Sequence, residues 1–482
     1  MIKSFFKDSS IYLIPTVVMY GVNFFLLPIY TRILTPADYG VIDLLRVYES
    51  IALLFVALEI GQGLGRHFMD ESDPGLRKSY FSTAFIFTVI CFSLFFGISM
   101  IFSQELSKLI IGIESSVTNF KLGVTFISLN GILLISNTQF RYELRSKEYV
   151  IVSLVTFLSI SSFSIIFAYL LQWRLSGMLL GIVLGNLSGL LTAVWLLRES
   201  ISLDFNLRLL KKMLIFSAPL VPSGMAIFVS GYIDRIMIKN FLSLNEVGLY
   251  GMGFRVSAIV SLLLVGFNRA LSPLIISNYR KSETPADIAK IFRWFVGLGL
   301  LFFMGLSLFA GEILYLFTTP QYYDAKNIVI FLVPAILFSQ MYMFTPGAGI
   351  TKKTHYTMWI SFFSAILNTT LNYFMIPKLG YSGAALATLL SHGIIFIIKV
   401  NVSQLLYRIP YEWRKILLAV AGVTVLTIYG VRFDALNYFD IFVKIGILCL
   451  LPFLFVVTRI VRPDEVSYVY AKLMRAISKH NN

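Results

Sequence analysis

Stretches of about 20 predominantly apolar residues recur along nearly the whole of this 482-residue chain, and they limit its fold more than any other feature. A run of that length crosses a hydrocarbon core roughly 30 Å thick as one helix. Inside lipid only helices and closed barrels satisfy every backbone polar group, and barrel strands read as about ten residues of alternating character, which these runs do not. Hydrophobic residues make up 57% of the chain and charged residues 13%, with a mean hydropathy of +0.80. No water-soluble fold buries that balance, so the expected fold class is an all-α polytopic membrane protein.

Spans are expected near residues 11–30, 41–65, 80–102, 117–140, 150–171 and 176–197, then near 216–238, 247–279, 291–310, 328–350, 356–376 and 382–406, and finally near 416–431 and 441–460. That makes about fourteen transmembrane helices in groups of six, six and two. The domain reading is an N-lobe over 1–198, a linker over 199–214, a C-lobe over 215–407, and two further helices with a basic tail over 408–482. The linker interleaves apolar residues with Arg208, Lys211 and Lys212, the pattern of a helix lying in the membrane interface.

Loop cations set the orientation. Lys3/Lys7, Arg77/Lys78, Arg145/Lys147, Arg208/Lys211/Lys212, Arg280/Lys281, Lys352/Lys353, Arg414/Lys415 and the C-terminal tail all fall on one side of the count, which places both termini in the cytoplasm. The opposite loops hold few cations, among them Lys108, Arg174, Lys326 and Lys378. The formal charge of +15 therefore reflects topology, and no nucleic-acid partner is needed to explain it. The first apolar run is too long for a signal-peptide core and is expected to stay as the first helix. Cys91 and Cys449 lie inside spans without partners at metal-ligand spacing. With no long loop bearing acid, base or metal groups and no Gly-rich phosphate motif, an enzyme is not expected and no resident cofactor is called for.

The two six-span sets echo each other. Ser10–Phe25 lies over Ser217–Tyr232 and matches Pro15 to Pro222, Thr16 to Ser223 and Asn23 to Ser230. Thr16 and Asn23 are seven residues apart and share a helix face, as do Ser223 and Ser230, so both helices carry a polar stripe. The turn LTPADYGV (34–41) is echoed by LSLNEVGL (242–249), after which Arg46 in LLRV answers Arg255 in GFRV. Further on, RLSGMLLGIVLGN (174–186) resembles GYSGAALATLLSH (380–392), and Ser162 falls over Asn368. An even number of helices per copy means both copies enter the membrane from the same side, related by an axis along the bilayer normal. The polar stripes then line a cleft between lobes, or else they bond helices to one another.

FSAPLVPSGMAIFVSGYIDRIMIKNFLSLNEVGLY (216–250), with RILTPADYGVIDL near the start and PKLGYSGAALATLLSH (377–392) later, resembles the bacterial polysaccharide-export flippases. These belong to the multidrug/oligosaccharidyl-lipid/polysaccharide exporter (MOP) superfamily, which also holds the multidrug and toxin extrusion (MATE) transporters and the lipid II flippases. The resemblance implies two pseudo-symmetric, MATE-like six-helix lobes with two extra C-terminal helices, in the bacterial cytoplasmic membrane. It implies a substrate of oligosaccharide linked to undecaprenyl diphosphate, moved to the outer leaflet by alternating access, with membrane lipids and a polysaccharide polymerase as partners. Coupling to a proton or sodium gradient stays open. Only Asp234, Arg235 and the E-V-G-x-Y turn carry over residue by residue.

Charges inside the spans are the candidate site. Arg46 lies about 9 Å into its helix, and leaving it in lipid would cost at least ~2.5 kcal/mol. Facing the cleft with Arg255, it would offer a pair of planar forks to a diphosphate; otherwise it anchors at the interface or pairs with Asp43 or Glu49. Arg269 follows Arg255 by fourteen residues on nearly the same face. Asn130, Asn137 and Arg141 share a face of the fourth span, and His392 and Lys399 share one of the twelfth. Glu59 and Arg66 are read as an ion pair closing the cytoplasmic side, or as a coupling site. Asp234 and Arg235 either gate or bond neighbouring helices. A multidrug cation antiporter of the same architecture is the rival reading, although cationic drugs call for acidic or aromatic linings. A lipid II or teichoic-acid substrate would suit the same basic cleft.

Overall fold

The computed structural model describes residues 26–112, 117–261, 271, 275, 278–433 and 437–461. All regular structure among them is helical, and ten helices are long and apolar enough to cross a membrane. These ten coincide with expected spans. The remaining four expected spans are of three kinds. That near 11–30 falls largely, and that near 247–279 partly, outside the described residues. The helix Thr354–Leu379 is long enough, but Ser361, Ser364, Asn368, Thr369 and Asn372 leave it short of apolar residues. The span over 41–65 is broken in two.

That break corrects the expectation of one continuous helix. Pro36–Phe55 starts on a capping box: Asp38 N–H donates to Thr35 Oγ1 at 3.2 Å, the Asp38 carboxylate accepts from Thr35 N–H at 2.9 Å, and Pro36 takes the first turn. The helix stops where Leu58 (φ 49°) and Glu59 (φ 55°) both adopt the left-handed conformation. Each costs roughly 1–2 kcal/mol in an L-residue, and together they end the hydrogen-bond ladder, which restarts as Ile60–Asp70.

Residues divide into two compact units, Met1–Gly251 with Ser361–Ala384, and Met252–Ile360 with Ala385–Asn482. In the first unit, Arg174–Leu196 packs along Ser146–Ser164 through Gly177, Gly181, Gly185 and Gly189. A Cβ on any of these four would lie between 1.9 and 2.6 Å from the facing helix, so only glycine permits the approach. The linker helix begins at Leu207, later than expected, because the Asn206 side chain caps it by accepting from Arg208 N–H and Leu209 N–H. It runs through a 3₁₀ turn at Ala218–Leu220 into Val221–Phe241. Leu209, Leu210 and Met213 join a core with Ile60, Leu64 and Phe68, leaving Arg208, Lys211 and Lys212 exposed.

In the second unit the C-terminal helices are held by buried charge. Lys444 on Tyr438–Cys449 is buried and bonds Glu312 at 2.7 Å. Buried Arg293, on Thr284–Leu308, donates to the carbonyls of Arg459 and Ile460 at 3.2 and 3.3 Å. Beside it Phe292 packs against Phe344, Tyr411 and Trp413. Burial there pushes the Tyr411 phenol well above the usual tyrosine range, and its hydroxyl donates to the Phe344 carbonyl.

Candidate functional site

The interrupted helix does more than bend. Its two halves, with Pro74–Ile101, Val117–Tyr142 and Val221–Phe241, enclose a cavity of about 540 Å³ in the first unit. That volume is in the range of small-ligand sites. Glu59 and Gln62 line it from the break itself, Thr138, Arg141 and Tyr142 from one wall, and Tyr232 from another. Non-helical backbone at membrane depth survives where it faces such a cavity, because exposed peptide groups find partners there and not in lipid.

Arg46 stands one turn before Ser50, a lining residue whose hydroxyl donates to the Arg46 carbonyl at 2.9 Å. Its guanidinium bonds the Glu49 carboxylate at 2.7 Å and lies 5.2 Å over the Phe126 ring. Tyr232 is near enough to interact with it electrostatically. Glu49 is buried and also accepts from Asn130 Nδ2 at 2.6 Å, so two helices share one carboxylate. The ion pair with Glu49 is among the alternatives the sequence left for Arg46; the Arg46 side chain is nonetheless 47% exposed, against 7% for Glu49.

The other expected residues separate. Arg66 bonds Asp70 at 3.4 Å and not Glu59, which corrects the expected Glu59–Arg66 pair: Glu59 sits in the left-handed break that heads the helix carrying Arg66, whereas Asp70 is one turn on from Arg66 on that helix. The Glu59 carbonyl accepts from Gln62 N–H at 2.8 Å, its carboxylate has no hydrogen-bond or ion-pair partner among the described residues, and Arg141 donates to Thr138 Oγ1 at 2.9 Å. Ser230 and Ser364 share a hydrogen bond of 2.9 Å, while Ser223 is half-buried on the same helix. Asn368 is buried, and its side-chain oxygen accepts from Asn372 Nδ2 at 3.0 Å. Asn137 presents a buried Oδ1 without a hydrogen-bond partner.

Asp234 and Arg235 form a buried ion pair at 3.0 Å, and Tyr250 donates to the second Asp234 oxygen. Arg235 also stacks over Tyr232 and Tyr250 and interacts electrostatically with Asp43, so this cluster ties three helices together. In the second unit, Arg255 is half-buried near the end of Leu244–Ser257, His392 Nδ1 lies 3.0 Å from the Ala335 carbonyl, and Lys399 sits 4.9 Å over the Tyr342 ring. Thr16, Asn23 and Arg269 lie outside the described residues. Sequence reasoning does not single out Gln62, Tyr142 or Tyr232, because an aromatic or amide near a span end reads the same whether it faces lipid headgroups or a cavity.

Helices of membrane length, with an interrupted helix beside a cavity, make this an all-helical membrane-protein fold, and solved structures of the MOP superfamily share it. Lipid II flippase MurJ in an inward closed conformation superposes with a TM-score of 0.73 at 13% identity, covering 96% of this chain and 99% of that one. An inward-facing multidrug resistance MATE family transporter gives 0.68 at 15% identity, over 82% and 97%. A MOP superfamily transporter from Pyrococcus furiosus gives 0.61 at 15%, over 84% and 95%. The profile of the family described as "Polysaccharide biosynthesis protein" matches residues 29–278, just over half of the sequence, and the chain belongs to that family. The MatE profile matches residues 219–374. Protein 1 of the Lsg locus of Haemophilus influenzae is 24% identical over 302 residues, 60% of this chain and 70% of that protein.

Proposed function

We propose that this protein is a flippase that moves an oligosaccharide linked to undecaprenyl diphosphate from the inner to the outer leaflet of a bacterial cytoplasmic membrane, for a polysaccharide polymerase to extend. The observation that carries the reading is Arg46, whose side chain is 47% exposed one turn from the cavity-lining Ser50, in a chain of the polysaccharide biosynthesis family. A diphosphate would compete with Glu49 for that planar fork. In this reading Arg255 supplies the matching cation from the C-lobe, and Arg269, Thr16, Asn23, Ser223, Ser230, Asn137 and Asn368 complete the path between two six-helix lobes. Both termini are cytoplasmic, so a reporter active only outside the cell should stay silent when fused to the C-terminus. Glu59, which lines the cavity and whose carboxylate has no partner among the described residues, is the group through which a proton or sodium gradient would couple.

One observation favours a second reading. The same Glu59 carboxylate, with Tyr142 and Tyr232, is the kind of lining a cationic drug would use, and the MatE match extends over part of the chain. Proteoliposomes separate the two. With a fluorescent glycan on undecaprenyl diphosphate, the flippase reading expects protein-dependent transfer, read by access of an external glycosidase, and no movement of a cationic dye. Dye efflux without glycan transfer would establish the antiporter instead.

A further inference from the structure

The helix Pro36–Phe55 has a second working face. Leu44, Val47, Tyr48 and Ile51 recur at helical spacing on the side away from Arg46 and Ser50, and they floor a separate crevice of about 730 Å³ in the first unit. Its other walls are the short helix Ser103–Ile110, through Glu105, Lys108, Leu109 and Ile110, and the end of Val221–Phe241, through Ile236, Lys239 and Asn240. The floor is aliphatic and the rim is polar. Lys108 and Glu105 are exposed on the rim, while Lys239 donates to the Leu109 carbonyl at 2.8 Å, which leaves two of its three N–H groups for another acceptor. Leu109, 72% exposed, and Ile98 and Ile101 beside it extend the apolar surface outward.

We propose that this crevice holds the polyprenyl diphosphate carrier, its first isoprene units against Tyr48, Ile51 and Ile236 and its diphosphate on Lys108 and Lys239. The proposal rests on the flippase reading above. The sugar of such a carrier needs hydrogen-bonding partners and its hydrocarbon chain needs apolar surface, so the chain calls for an apolar groove beside the cavity that holds Glu59, Gln62 and Arg141. The helix Pro36–Phe55 provides one, with the cavity on one face and the crevice on the other. Two ammonium groups against the single carboxylate of Glu105 suit the greater charge of a diphosphate over that of a phosphodiester headgroup. Lys108 belongs to the loops read as extracytoplasmic, which makes this the outer-leaflet, release side.

The test uses the full chain in nanodiscs of neutral phosphatidylcholine with a diazirine-bearing polyprenyl diphosphate that carries no sugar, so that binding is read apart from transport. Crosslinks should map to 44–51, 105–110 and 236–240, and fall at least tenfold in Lys108→Gln/Lys239→Gln. Lys239→Arg should keep them, and Ile51→Trp, which leaves both lysines in place and fills the half-buried floor, should abolish them. Labelling unchanged in the double variant overturns the proposal. So does equal competition by phosphatidylglycerol, which would make the crevice a general anionic-phospholipid site. If sugar-linked carrier is not flipped in proteoliposomes while the mapped crosslinks persist, the transport reading fails and the carrier site stands.

Discussion

Gly40 and Gly248 pack backbone to backbone, and they do so reciprocally. A Cβ on Gly40 would lie 2.1 Å from the Leu244 carbonyl oxygen, and one on Gly248 would lie 1.7 Å from that of Pro36. In the alignment of LTPADYGV with LSLNEVGL, Pro36 answers Leu244 and Gly40 answers Gly248, so each segment offers its partner the same atoms. This is the pattern of an isologous contact about a two-fold axis. Replacing either glycine by Val has no side-chain shift to relieve it, because the obstacle is backbone. Each variant should lose about 1–3 kcal/mol, read as a lower Tm in detergent. An unchanged Tm in both would mean that the contact is not so close in the native protein.

Arg46 and Glu49 allow a structural role to be separated from substrate binding. Arg46→Ala leaves Glu49 buried with only Asn130 as a partner, which destabilises the protein as well as removing a cation. Arg46→Ala/Glu49→Ala should recover most of the lost stability. Glycan export should stay blocked in both variants, and Arg46→Lys should restore it in part. Export that returns together with stability in the double variant would reduce Arg46 to an ion-pair partner.

Gly181 faces Ser164 with a Cβ position 2.4 Å from the Ser164 backbone nitrogen. Gly181→Leu should separate Arg174–Leu196 from Ser146–Ser164 and increase proteolysis or thiol labelling within the first unit. Gly97, half-buried but with nothing within 4 Å of a Cβ, should accept the same change without effect. Equal responses at the two positions would contradict the close packing.

Lys444 and Glu312 make a corresponding test in the second unit. Lys444→Met alone strands Glu312, one of whose oxygens is already buried without a hydrogen bond, and should cost roughly 3 kcal/mol. Lys444→Met/Glu312→Leu should be close to the wild type in Tm, since an apolar pair of similar volume replaces both charges at once. Additive losses would show that the ion pair itself contributes net stability.

What the sequence by itself determined is the part set by one-dimensional constraints. Apolar runs of membrane length placed ten helices, because hydrocarbon thickness and helical rise leave little freedom. The motif around Asp234-Arg235 and the E-V-G-x-Y turn pointed to the family that the profile over residues 29–278 identifies. The glycines at 177, 181, 185 and 189 were visible as a four-residue repeat, yet their meaning came only with the facing helix. The break at Leu58 and Glu59 had no signal at all, since the stretch Val56-Ala57-Leu58-Glu59 contains neither glycine nor proline and its strained backbone is held by packing around it. Which partner an ionisable group takes was likewise settled in three dimensions: Arg66 bonds Asp70 one turn on, while Glu59, held in the left-handed break, lines the cavity. Hydropathy is a property of each segment and can be read locally, whereas strain, pairing and cavities exist only between segments.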